Sequence, residues 1–231
     1  MRRALRIVGS LTAFAGAALI AWSVLVWQWQ DPFTGAYNRW EQRQLSQSFE
    51  RRSAELRLPT TATAAPSRPQ VALAARRWRK ASPVGDAIAR IRIPKLGLDA
   101  VVVNGTDHDS LKRGPGRYLG SRMPGEGELV YIAGHRTTYG APFSRIDALR
   151  KGDRVVVELP YATFTYRVTG SRIVAASDVG VLRSRHREQL VLQACHPRFF
   201  ATHRWLTYAV PVSVEPRTTA TQDNAAVLAG Y

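Results

Sequence analysis

Short apolar runs rich in β-branched residues recur throughout residues 85–215, and turn-forming residues interrupt each before it grows long. Ile88, Ile91 and Ile93 open the series, and Val101-Val102-Val103 continues it. Leu129–Ala133, Arg154–Leu159, Phe164–Thr169, Arg172–Ala175, Leu190–Ala194 and Leu206–Val214 follow. Pro124-Gly125, Lys151-Gly152-Asp153 and Asp178-Val179-Gly180 supply turn signals between them. A short strand cannot satisfy its own backbone groups, so many strands with few helical stretches must pair with one another. The pattern predicts a mainly all-β domain over 84–216, a closed or nearly closed β-barrel. The one helix expected inside it is short and lies near Phe143–Leu149.

What precedes the barrel is of another kind. Residues 1–6 carry three arginines, and Ile7 through Gln30 then runs 24 residues without a charge. About 20 apolar residues cross a bilayer, so 7–30 is expected to be a transmembrane anchor behind a basic tail. Trp22, Trp27 and Trp29 gather toward its far end, as aromatic rings do at a membrane interface. Arg2, Arg3 and Arg6 precede the span and the next basic residue is Arg39. That asymmetry puts the N-terminus in the cytoplasm and the remainder outside the cell. A cleaved signal peptide begins the same way. Ala15-Gly16-Ala17 comes early for its cleavage site, and the apolar run continues past Ala21-Trp22-Ser23. Both routes export the domain. Residues 31–83 read as a juxtamembrane helix followed by a flexible linker. Tyr37–Leu58 lacks Gly and Pro and carries the sparse apolar stripe of a stalk, while Pro59–Pro83 is rich in Thr, Ala, Pro and Ser. Residues 217–231 form a polar tail expected to be disordered.

The formal net charge is +16, from 33 Lys and Arg against 17 Asp and Glu. Residues 1–83 hold 13 basic against 4 acidic side chains and residues 84–215 hold 19 against 12, so no single patch collects the excess. With no C2H2 spacing, aromatic RNA-binding signature or basic zipper, nucleic acid is not the expected partner. Anionic cell-wall polymers or lipid headgroups fit an exported protein better, and simple solubility remains the bland alternative.

Cys195 is the sole cysteine. It cannot form an internal disulfide, and no thiolate-rich metal site is expected. A buried small hydrophobe, an intermolecular bridge or a nucleophile served by a distant histidine remain. A nucleophilic thiolate needs an electropositive neighbourhood and a base or ion-pair partner. His196 is adjacent, and neighbours on a strand point to opposite faces. His108 and His186 lie in charged, turn-like stretches and read as solvated. His203 shares strand parity with Trp205 and Thr207, whereas Arg204 shares it with Leu206, Tyr208, Val210, Val212 and Val214. If that second set faces inward, Arg204 stands at the inner rim of the barrel. His135 follows an apolar strand and Gly134 and opens a loop running to Phe143, a place where a rigid base holds catalytic side chains. A structural histidine capping a strand is the alternative.

Gly134-His135-Arg136-Thr137-Thr138-Tyr139-Gly140, the Cys195-His196-Pro197 step and Arg204 nine positions on resemble a sortase, most closely class E of high-GC Gram-positive bacteria. Ile91-Arg92-Ile93-Pro94-Lys95-Leu96 is similar to that family's opening strand, and an N-terminal anchor is usual for it. The resemblance covers residues 84–215. It implies an eight-stranded β-barrel and a cofactor-free cysteine transpeptidase. Cys195 would attack the carbonyl of a Thr-Gly bond in a C-terminal sorting signal. His135 would act as general acid and then base, and Arg204 would hold the substrate and its oxyanion. The resemblance also assigns substrate contacts to Thr137, Ala194 and Tyr118, for which a packing tyrosine is the alternative. The family commonly reads Thr-Leu-x-Thr-Cys before the nucleophile, and here Val191 and Ala194 replace both threonines.

The implied function is a membrane-anchored sortase joining secreted proteins with Leu-Ala-x-Thr-Gly or Leu-Pro-x-Thr-Gly signals to a peptidoglycan-precursor amine. Two alternatives stand beside it: a pilin-polymerising sortase whose acceptor is a pilin lysine, and a catalytically idle, basic wall-binding barrel.

Overall fold

The computed structural model describes residues 2–29, 32–55, 67–184 and 186–217. Eight strands close into a barrel: β1 (Ala87–Ile93), β2 (Leu98–Asn104), β3 (Gly116–Arg117), β4 (Leu129–Ala133), β5 (Arg154–Glu158), β6 (Ala162–Ala175), β7 (Gln189–His196) and β8 (His203–Pro216). Around the barrel they run β1-β2-β3-β4-β7-β8-β6-β5, and β5 pairs back onto β1 through Arg90↔Glu158 to Arg92↔Val156. β2–β3 and β4–β7 are parallel pairs, and the other pairs are antiparallel.

Strand alternation sorts the side chains into two layers. Ile91, Ile93, Val130, Ile132, Phe164, Tyr166, Leu190, Leu192 and Ala194 belong to the main core. Leu129, Tyr131, Val174, Val191 and Leu206, from the opposite parity, form a second apolar cluster with Tyr118, Val181, Leu182 and Tyr208 packed against it. The outer face of β4, β7, β8 and β6 is therefore itself apolar. That layer matters for the site.

Some expectations need correction. Phe164–Thr169 and Arg172–Ala175 are one 14-residue strand, and Gly170 lies at a register shift instead of a break. Phe143–Leu149 contains only a 3-10 turn at Ile146–Ala148.

The N-terminal helices differ more. α1 (Arg2–Trp29) contains the expected span, and Arg6–Val24 has a mean hydropathy of 1.8 with none of it buried. Gln30 lies outside the described residues. α2 (Pro32–Glu55) is not a stalk. Its Leu45 and Phe49 are buried in the main core, and Gln42 enters the edge of β2. The Gln42 amide donates to the Val101 and Arg113 carbonyls at 3.2 and 2.8 Å and accepts from the Val101 amide at 2.7 Å.

Nor is the stretch up to Pro83 wholly a linker. Arg68–Lys80 is a helix, α3, that buries Val71, Ala74, Ala75 and Trp78 at i, i+3, i+4 and i+7. Ser67 and Gln70 form a capping box at its start. Residues 59–66 and the expected tail, apart from Arg217, lie outside the described residues. A fourth helix, α4 (His108–Arg113), forms where a turn was expected, because the Asp107 side chain accepts from the Ser110 amide at 3.0 Å and caps it.

Trp78 ties the helices to the barrel. It is 2% exposed, its indole donates to the Ile88 carbonyl at 2.9 Å, and the Arg52 guanidinium lies 4.5 Å from its ring centroid. Trp78→Ala is expected to cost about 3–5 kcal/mol, the usual range for a large aromatic truncated in a core. Thermal unfolding of the full chain in detergent checks it. A flexible linker would give almost no change.

Candidate active site

The parallel pairing of β4 with β7 and the antiparallel pairing of β7 with β8 bring three distant residues to one place. Ala133 is registered with Gln193, and the Gly134 amide donates to the Gln193 carbonyl at 2.9 Å. Two residues further along each chain stand His135 and Cys195. Cys195 is in turn directly opposite Arg204 on β8. Directly paired residues on neighbouring strands project to the same face. Cys195 shares strand parity with Val191 and Gln193, so it lies on the outer face, at one end of the second apolar cluster. The conditional inward placement of Arg204 is therefore corrected: its parity partner Leu206 packs in that outer cluster, while Ala209, of opposite parity, lies in the main core.

Each of the three has the right kind of neighbour. Cys195 is a free, half-buried thiol. His135 is half-buried, and its Nε2 is buried without a hydrogen-bond partner among the described residues. Burial, chiefly, and the charge of His108 lower its pKa from the ordinary histidine value. Tyr139 lies between the two histidines, with ring centroids 5.2 Å from His135 and 6.3 Å from His108. Arg204 anchors one guanidinium nitrogen on the Ala201 and His203 carbonyls at 2.7 and 2.9 Å. Its other nitrogens make no hydrogen bond among the described residues, so the planar group is fixed at one edge and available at the other.

The remaining expected contacts divide. Tyr118 packs over the outer apolar cluster, edge-on to Tyr131 at 6.3 Å, and its ring covers Gly120. Thr137 is half-buried in the loop two residues past His135. Ala194 is misplaced by the expectation: it is 0% exposed and belongs to the main core, so its side chain points away from the Cys195 face. Of the two positions that depart from the family pattern, only Val191 belongs to the outer cluster on the Cys195 face.

Arg136 carries a structural part that the sequence did not suggest. It is 3% exposed. One guanidinium nitrogen reaches the Cys195 carbonyl at 3.3 Å and His196 Nδ1 at 3.0 Å, and the other donates to Asp147 Oδ2 at 2.6 Å. The group also lies 5.9 Å from the Trp205 ring centroid, whose face His196 approaches at 5.7 Å. Arg136 thus ties the loop after β4 to the backbone of the cysteine itself. In the outer layer the Tyr131 hydroxyl donates to Gln193 Oε1 at 2.7 Å, and burial pushes that phenol well up.

The charge of His108 gives a signed expectation. A His108 cation disfavours a second cation on His135, so His108→Ala should move the His135 titration to higher pH. Imidazole NMR titration of the two proteins measures it. An unmoved or lowered midpoint would remove His108 from the site's electrostatics.

A closed eight-stranded barrel carrying a cysteine, a histidine and an arginine on adjacent strand ends defines the class. The sortase-domain family model matches residues 91–212, and the chain belongs to the sortase family. It is 34% identical over 133 residues to Sortase D of Bacillus subtilis (strain 168), covering 56% of this chain and 66% of that protein. It is 29% identical over 155 residues to Sortase SrtE1 of Streptomyces coelicolor, covering 60% of this chain and 44% of that one. The chain thus spans less than two thirds of the length of these curated relatives. Among solved structures, sortase E from Streptomyces avermitilis superposes with a TM-score of 0.53 at 33% identity, over 58% of this chain and 93% of that one. Sortase E1 from Streptomyces coelicolor, solved with a tripeptide in its active site, gives 0.54 at 28% identity, over 58% of this chain and 92% of that one.

Proposed function

We propose that this chain is a membrane-anchored sortase of the class E type that cleaves a Thr-Gly bond in a C-terminal sorting signal. The acyl group passes through a thioester on Cys195 to a cell-wall amine. The observation that carries this is the registration of Cys195 against Arg204, beside His135, at the end of the outer apolar cluster.

The chemistry follows from those groups. The Cys195 thiolate adds to the threonine carbonyl, and the developing oxyanion is met by the free edge of the Arg204 guanidinium. Collapse of the tetrahedral adduct breaks the C–N bond, and protonated His135 gives its proton to the departing glycine amine. The thioester then awaits an amine. Its attack forms the new amide, neutral His135 takes the surplus proton, and the thiolate leaves. The partly exposed Tyr118, Val181, Leu182 and Tyr208, which pack over the buried outer cluster, offer an apolar surface that suits the first residues of the signal. The peptide in the active site of Sortase E1 from Streptomyces coelicolor supports a peptide occupant here as well. Arg2, Arg3 and Arg6 ahead of α1 support a cytoplasmic N-terminus with the barrel outside.

Arg204→Ala is expected to lower the rate by roughly 100- to 1,000-fold, the scale of losing one oxyanion donor. Arg204→Lys should recover little, because an ammonium cannot both hold two backbone carbonyls and present a planar edge to substrate. Peptide–amine product formation, followed with Leu-Ala-x-Thr-Gly and Leu-Pro-x-Thr-Gly peptides in parallel, tests the function and reveals the signal preferred. Diaminopimelate-type and lysine-containing acceptors in the same assay separate wall anchoring from pilin joining. Equal rates for wild type and Arg204→Ala would sink the role given to Arg204.

A further inference from the structure

We infer that the catalytic end of the barrel rests on the membrane surface, with the Arg198-Phe199-Phe200 tip of the β7–β8 loop contacting anionic lipid. The inference rests on α1 being the membrane anchor.

The first support is the path of α2. Near its start, the Asn38 amide donates to the Lys112 and Arg113 carbonyls at 3.3 and 3.2 Å and lies against Gly140, five residues past His135. Gly140 has φ +71°, and a side chain there would strike Asn38. Near the end of the helix, Arg52 reaches the Ala81 and Ala87 carbonyls and pairs with Asp86 at 2.8 Å, ahead of and at the start of β1. The helix therefore enters the domain beside the catalytic loop and leaves it at the opposite end of the barrel. Asn38 lies six residues into α2, a rise of about 9 Å. Trp29 and Pro32 are three residue steps apart, at most about 11 Å of chain. The catalytic loop thus cannot be more than about 20 Å further along the chain than the end of α1.

The second support is what that end displays. Phe199 and Phe200 are 58% and 78% exposed in the loop directly after the cysteine strand. Val179, 71% exposed, follows the end of β6, and the Ala176 amide donates to the Thr202 carbonyl, joining the two loops. Phe199 and Ala201 have φ values of +72° and +54°, a conformation that side chains other than glycine avoid. The loop thus keeps a strained backbone while presenting two phenyl rings to solvent. Adjacent exposed aromatics beside an arginine suit the headgroup region of a bilayer, where the rings are covered and the guanidinium meets phosphate.

Charge supports the same partner. Arg145, Arg150, Lys151 and Arg198 are exposed on loops at this end. The nearby carboxylates are engaged: Asp147 with Arg136, Asp153 with Lys95, and Asp178 with the Gly180 amide. The surplus is basic, and anionic headgroups attract such a surface.

The test uses the full chain with Cys195→Ala, so that one introduced cysteine carries an environment-sensitive fluorophore. It is reconstituted into phosphatidylglycerol–phosphatidylcholine vesicles containing doxyl-labelled lipid. Labels are placed through Phe200→Cys at the loop, Val24→Cys within α1 and Val212→Cys toward the other end of β8. Quenching at position 200 is expected to be at least twofold stronger than at 212, and that difference should fall by half or more in phosphatidylcholine alone. Strong quenching at 24 with equal, weak quenching at 200 and 212 would overturn this inference alone. No quenching at 24 would overturn the anchor, and this inference with it. A difference between 200 and 212 that is unchanged without phosphatidylglycerol would overturn the assignment of anionic lipid as the partner.

Discussion

Cys195→Ala is expected to abolish peptide–amine joining, by a factor on the order of 10,000 or more, while leaving the folded protein intact. The two halves of that expectation have separate causes. Cys195 lies half-buried on the outer face of β7, outside the main core, and alanine keeps the strand and its pairing with Arg204. Substitutions at such positions usually shift stability by no more than about 0.5 kcal/mol. The chemistry, by contrast, has no substitute for the sulfur. The chain has no second cysteine to take over. Cys195→Ser should be nearly as inactive, because a hydroxyl is far harder to ionise than a thiol and nothing at this site acts as a strong base toward it. Matched thermal unfolding curves beside a lost product peak would bear this out. A Cys195→Ala protein that still joins peptide to amine at a tenth of the wild-type rate would contradict it.

The second large effect concerns Arg136. Breaking a buried ion pair by removing one partner leaves the other uncompensated, and Arg136→Ala is expected to destabilise by about 3–5 kcal/mol. Asp147, the half-exposed member, can regain water, so the cost should fall toward the lower end. The activity should fall as well, at temperatures where the variant is still folded. Arg136 is a positioning residue: it holds the Cys195 carbonyl and the His196 ring and touches no substrate in the proposed reaction. Arg136→Lys distinguishes this from plain structural support. A lysine can pair with Asp147 but cannot also bridge to the Cys195 carbonyl and His196 in one plane. It should recover much of the unfolding midpoint while kcat stays low and KM changes little. Recovery of kcat in step with stability would reduce Arg136 to a structural role.

The barrel was legible because strand periodicity survives wherever one face is buried, and seven of its eight strands could be read from short apolar runs. β3 could not be read this way. It is two residues long, and Gly116-Arg117 has no periodicity to show. α3 was legible in principle. Val71, Ala74, Ala75 and Trp78 carry a helical stripe behind a Ser67…Gln70 cap, but alanines and flanking arginines make that stripe look like solvated linker. Its burial depends on Ile88 and Arg52, which no local window contains.

The site shows the same division. Motif spacing singled out Cys195, His135 and Arg204, whereas the face they occupy depended on which side of the sheet was the core. Both faces are apolar here, so parity alone could not choose. The error at Ala194 has the same root: a residue next to the nucleophile in sequence points to the opposite layer. Arg136 was invisible for a further reason. Arginines are seldom fully buried, and what permits this one is Asp147, eleven residues away across a loop. That geometry also reduces the weight of Ala194 as a sign of lost activity. Its side chain faces the main core, so replacing a threonine there removes no polar group from the Cys195 face.

The central claim is a covalent acyl intermediate on Cys195, and intact-mass spectrometry of the full chain in detergent tests it most directly. The protein is mixed with a Leu-Ala-x-Thr-Gly or Leu-Pro-x-Thr-Gly peptide without acceptor, sampled, and then given an amine. The predicted result is a mass increase equal to the peptide minus its glycine end, mapped to Cys195 and discharged by the amine as peptide–amine product. His135→Ala and Arg204→Ala should accumulate far less of it. No adduct with either peptide, together with alkylation of Cys195 at the rate of an ordinary thiol regardless of His135, would contradict the account and leave a barrel that binds without reacting.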